Sequence, residues 1–73
     1  MKVQVKLFAL AKQLARQEAV DVDLPDNATV ADLREAVVAQ HPALAHLVRH
    51  AMFALDTEFA NDAKTITPGD EIA

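Results

Sequence analysis

Seventy-three residues make one domain, near the lower size at which a hydrophobic core alone holds a fold, and the 23 larger apolar side chains (Val, Leu, Ile, Met, Phe) suffice for one compact core beside fifteen alanines. The formal net charge of −4, with seven scattered basic residues, gives no support to nucleic-acid binding by phosphate neutralisation. The absence of cysteine and serine, with a single glycine, excludes disulfides, thiolate metal sites, cysteine or serine nucleophiles and glycine-rich phosphate loops.

From the start of the chain, Val3, Val5 and Leu7 alternate with Lys2, Gln4, Lys6 and Phe8, the period of a half-buried strand. The lysines argue against a signal peptide or a membrane span, so a cytoplasmic setting is expected. Phe8 continues the polar face. Either the strand ends at Leu7 and Phe8 turns inward, or an aromatic stands exposed on an open sheet face and marks a docking surface. Residues 9–17 read as a short helix, with Leu10 and Leu14 on its apolar face and Lys12 and Arg16 off it. Val20, Val22 and Leu24 then alternate with Ala19, Asp21 and Asp23, a second strand with an acidic outer face that is expected to pair antiparallel with the first. Pro25-Asp26-Asn27 is turn chemistry.

Thr29 is a helix N-cap, and Asp32 three residues on approximates a capping box. Val30, Leu33, Ala36 and Val37 share one stripe of a helix that runs to about Gln40 and is stopped by Pro42. Residues 43–50 add a further helical turn with Leu44, Leu47 and Val48 on one side. Met52–Leu55 reads as a third strand, residues 56–58 as a turn, and Phe59-Ala60 as the start of a return strand. Thr65–Thr67 is extended, and Pro68-Gly69 fits the centre of a type II turn. Asp70–Ala73 opens a last strand. One amphipathic helix over a four- or five-stranded sheet is a two-layer α+β domain spanning residues 1–73.

His46 and His50 stand four apart, a spacing that can bind a metal, but no third ligand accompanies them, and solvated surface histidines are the expectation. No carboxylate pair stands out as an acid–base couple, and Asp70 and Glu71 are read as shaping the last turn and strand. Nothing in the chain implies a cofactor or a catalytic residue of its own.

Three stretches together resemble the MoaD family, the small subunits of molybdopterin synthase. They are residues 2–14 (KVQVKLFALAKQL), the helix start Thr29–Arg34, and the pair Ala54–Phe59 and Ile66–Ala73 (ITPGDEIA). The resemblance covers essentially the whole chain. It implies a β-grasp, ubiquitin-like fold with one main helix on one face of a mixed sheet, and a last strand lying centrally beside the first. It implies a sulfur carrier in molybdenum cofactor biosynthesis, whose partners are the large synthase subunit and an adenylating, E1-like activating enzyme. In that family the chain continues into a flexible tail ending in Gly-Gly, the terminal carboxylate is adenylated, and it then becomes a thiocarboxylate. The sequence stops at Ala73, before any Gly-Gly, and the domain is expected to continue past it. Asp56 stands where many relatives carry asparagine. Phe8 and Phe59 match the family's hydrophobic partner-binding residues on the exposed sheet face, the alternative for Phe59 being a core aromatic. The competing functions are a thiamine-pathway sulfur carrier and a tailless ubiquitin-like module that binds without covalent chemistry.

Overall fold

The computed structural model describes residues 1–73 throughout. The alternation at the start of the chain becomes β1 (Lys2–Lys6), which pairs antiparallel with β2 (Ala19–Asp23) in the register Val3↔Val22 and Val5↔Val20. Between them lies α1 (Ala9–Ala15). After a turn comes α2 (Val30–Gln40), then a 3-10 turn at Pro42–Leu44 and the single helical turn α3 (Ala45–Val48). A second hairpin follows, β3 (Phe53–Leu55) with β4 (Glu58–Ala60).

The two hairpins are joined through one residue. Ile72 bridges Val5 in parallel and Leu55 antiparallel, so the last segment of the sequence lies between β1 and β3. The Lys6 N–H donates to the Ile72 carbonyl at 2.9 Å, and Ala54 and Ala73 exchange two backbone hydrogen bonds of 3.0 Å each. The expected central place of the last strand beside the first is what the structure shows.

α2 begins where its capping chemistry says. The Thr29 hydroxyl accepts from the Asp32 N–H, and the Asp32 carboxylate accepts from the Thr29 N–H at 2.9 Å. Its Val30, Leu33 and Val37 are buried against Val5, Val20, Val22, Phe53, Leu55 and Ile72 from the sheet. Burying such side chains stabilises the fold by about 1.5–3 kcal/mol each.

The first helix departs from the sequence reading. It ends at Ala15, and Leu10 and Leu14 are 53% and 43% exposed, while Ala11 and Ala15 pack against the core. Two stripes with four-residue spacing compete on this helix, and the small one wins because alanines let a short helix lie close to the 3-10 turn at Pro42–Leu44.

The outer edge of β2 is closed by side chains rather than by another strand. The Gln40 amide accepts from the Asp23 N–H at 2.9 Å and donates to the Asp23 carbonyl at 3.0 Å, and His41 Nε2 lies 2.8 Å from the Asp21 carbonyl. An edge satisfied this way offers no template for pairing with another chain. Arg34 of α2 secures the opposite end of the sheet. Its guanidinium donates to the Val48 carbonyl, to the Ala51 carbonyl at 2.6 Å and to Asp62 Oδ1 at 3.0 Å, and it lies 5.2 Å from the Phe53 ring centroid. No helix is long and apolar enough to cross a membrane.

Candidate functional site

Helix α2 covers one face of the sheet, and strand parity puts the other face in solvent. Since Val5, Ile72 and Leu55 are buried, their neighbours point the opposite way. The pairings Lys6↔Ala19 and Ala54↔Phe59, with the Ala54–Ala73 hydrogen bonds, place Ala19, Lys6, Ala73, Ala54 and Phe59 in one row across the open face. Ala73 sits in the middle of that row.

Phe8 lies two residues beyond Lys6. Its backbone is still extended (φ −129, ψ 156), and it keeps the parity of the open face. It is 65% exposed, and Phe59 is 74% exposed. Both residues singled out in the sequence therefore stand in solvent, and neither turns inward. Because the last segment runs parallel to β1, Phe8 flanks the direction in which the chain heads at Ala73.

Met52 was missed from sequence as part of this surface. It sits one residue before β3 and is 66% exposed. The signal was available: Met52 shares the parity of Ala54, opposite to the buried Phe53 and Leu55. His46 and His50 are exposed, and no three His, Asp or Glu residues lie close enough together to hold a metal ion.

The polar groups here fasten the last segment. Lys6 Nζ donates to Glu71 Oε1 at 2.7 Å, and this bond and the lysine's charge hold the Glu71 carboxyl below its ordinary value. Gly69, at φ +92, supplies the left-handed backbone that the turn after Pro68 needs, and the Asp70 N–H returns to the Thr67 carbonyl at 3.1 Å. Asp70 accepts from the Thr67 N–H and hydroxyl, both at 2.8 Å, and those bonds lower its carboxyl in turn. Asp70 and Glu71 do shape the final turn and strand. The open face presents the exposed apolar side chains of Phe8, Met52 and Phe59 around a segment held by backbone hydrogen bonds.

Comparison with known proteins adds to this geometry. The ThiS family profile matches residues 5–73. The chain is 32% identical over 75 residues to the molybdopterin synthase sulfur carrier subunit of Chlamydomonas reinhardtii, covering 100% of this chain and 90% of that protein. It is 29% identical over 70 residues to the subunit of the same name in Caenorhabditis elegans, covering 96% and 76%. Among solved structures it is similar to SAMP1 of Haloferax volcanii, at a TM-score of 0.86 and 31% identity over 99% of this chain and 90% of that one. A molybdopterin converting factor subunit 1 from Pyrococcus furiosus, described as putative, shares the fold at a TM-score of 0.79 and 24% identity, covering 97% of this chain and 91% of that one.

Proposed function

The chain belongs to the ThiS family, and from that premise we propose that it is the sulfur carrier subunit of a molybdopterin synthase. The observation that carries the reading is the seating of the last segment: Ala73 lies at the centre of the open face, between Lys6 and Ala54, and heads past an exposed Phe8. A scaffold that seats this segment centrally and surrounds it with unpartnered apolar side chains is suited to presenting to a larger protein what the segment leads into. In this reading the chain continues beyond Ala73 into a tail ending in Gly-Gly, which lacks side chains and so enters a narrow active site. An E1-like partner adenylates the terminal carboxylate with ATP, releasing pyrophosphate. Hydrosulfide supplied by a donor then attacks the acyl carbon and displaces AMP to leave a thiocarboxylate, and the large synthase subunit takes up the sulfur. Phe8 and Phe59 are the partner-binding anchors, and Met52 extends them. The setting is the cytoplasm, and neither nucleic acid nor membrane takes part.

The relatives named for molybdopterin synthase favour this reading over a thiamine-pathway carrier. Likeness to small archaeal modifier protein 1 of Haloferax volcanii, at 32% identity, favours one second reading, in which the same activated carboxyl is passed to an amine on another protein. Reconstitution separates them. With the activating enzyme, ATP, a sulfur donor and the large subunit, the native-length chain is expected to form a thiocarboxylate and to convert the pterin precursor to the dithiolene. Accumulation of amide-linked conjugates without dithiolene formation would establish the second reading instead.

A further inference from the structure

We propose that Asp56 is a positioning residue that sets the register of the segment leading to Ala73, by lending its side chain to the backbone ladder in place of its own carbonyl. In a regular antiparallel pair, hydrogen-bonded partners exchange two backbone bonds and alternate with partners that exchange none. Ala54 and Ala73 exchange both, and Leu55 and Ile72 form the bridge that exchanges none. Asp56 and Glu71 are the next pair and should exchange both again. The first bond is there, with the Asp56 N–H donating to the Glu71 carbonyl at 2.8 Å. The second is not made by the Asp56 carbonyl. The Glu71 N–H donates to Asp56 Oδ1, at 2.9 Å.

The hairpin turn gives the reason. Asp56 and Thr57 have φ of +50 and +72, the pair of left-handed residues that defines a type I′ turn. Left-handed backbone at Asp56 swings its carbonyl out of the ladder, and a short side chain carrying an oxygen restores the missing acceptor. Residue 56 thus has two requirements at once: it must tolerate positive φ, and it must offer an acceptor two bonds beyond Cβ, as Oδ1 is. Aspartate and asparagine meet both, glycine meets only the first, and alanine meets neither. Under the sulfur-carrier reading, on which the catalytic consequence rests, this bond holds the segment leading into the tail in the register that an activating enzyme meets.

Glycine and asparagine variants separate the backbone role from the acceptor role, and amide hydrogen exchange reads each bond directly. Asp56→Asn is expected to leave exchange at Glu71 and Ala73 within about twofold of the original, whereas Asp56→Gly speeds it by about tenfold or more, the effect of one lost hydrogen bond. Val22 and Leu33, in β2 and α2, are expected to exchange as before in both. Unchanged protection of Glu71 in Asp56→Gly, or equal loss in Asp56→Asn, would overturn the proposal. With the native-length chain and its activating enzyme, Asp56→Gly is expected to lower kcat for adenylate formation by about tenfold at unchanged KM, with Asp56→Asn restoring it. A rise in KM alone would overturn the positioning role. Failure of the original chain to be adenylated at all would instead sink the sulfur-carrier reading and leave the exchange result standing.

Discussion

Phe8 and Phe59 tie the proposed function to single side chains. Each is largely exposed, so removing the ring leaves no cavity and strips little buried area. Phe8→Ala and Phe59→Ala are each expected to change folding stability by less than about 0.5 kcal/mol in urea unfolding, against about 2–5 kcal/mol for Leu33→Ala in the core. The same two variants are expected to weaken binding to the large synthase subunit by about 1–3 kcal/mol each, measured by calorimetric titration. A large stability loss with unchanged binding would mark the rings as structural. The sequence left two orientations open for both phenylalanines, because parity at the end of a strand depends on where the chain turns. The extended backbone at Phe8 and the Ala54↔Phe59 pairing decide it. Arg34 was invisible at this scale, since its carbonyl partners at Val48 and Ala51 are brought to it only by the folded loop. Arg34→Lys is expected to cost about 1–3 kcal/mol in thermal or urea unfolding, because an ammonium cannot reproduce the guanidinium fork and the part-buried carbonyls of Val48 and Ala51 lose a donor.

Secondary-structure elements were legible wherever local chemistry and burial agreed. The capping box at Thr29 and Asp32, the valine alternation of β1 and β2, and the Pro68-Gly69 turn were read from residues whose own preferences match their final places. The first helix was read on the wrong face because two stripes share its spacing and only tertiary approach distinguishes alanine from leucine. The β3–β4 hairpin carries a mismatch of another kind: Thr57, β-branched, sits at φ +72. Asp-Gly is a favoured pair for this turn, so Thr57→Gly is expected to raise stability by about 0.5–1 kcal/mol, read as a higher urea midpoint with unchanged slope. A fall in midpoint would show that the threonine side chain makes contacts outweighing its strain.

Across the whole molecule, one thin segment holds two hairpins together through backbone hydrogen bonds and the buried Ile72, and exposed carboxylates add to its fastening. Both Glu71 and Asp70 have carboxyls lowered in the fold, Glu71 by the Lys6 ammonium and Asp70 by the Thr67 N–H and hydroxyl. Their contribution is therefore fully present above the ordinary carboxylate range and is lost as pH falls through the lowered folded values. The urea midpoint is expected to fall as pH drops from about 5 towards 3, and Asp70→Asn is expected to flatten part of that slope. The two-layer α+β plan was legible from the order of elements, whereas the hand-over role was legible only through the family resemblance of residues 2–14, 29–34, 54–59 and 66–73, since the residues read one by one implied no catalytic group. That role turns on what the chain end carries in the cell. Intact-mass analysis of the protein purified from its native source tests it most directly. The expected result is a chain extending beyond Ala73 to Gly-Gly, with a fraction heavier by the replacement of one oxygen by sulfur at the terminal carboxyl. A native polypeptide with no such tail and only an ordinary carboxylate would contradict the sulfur-carrier role.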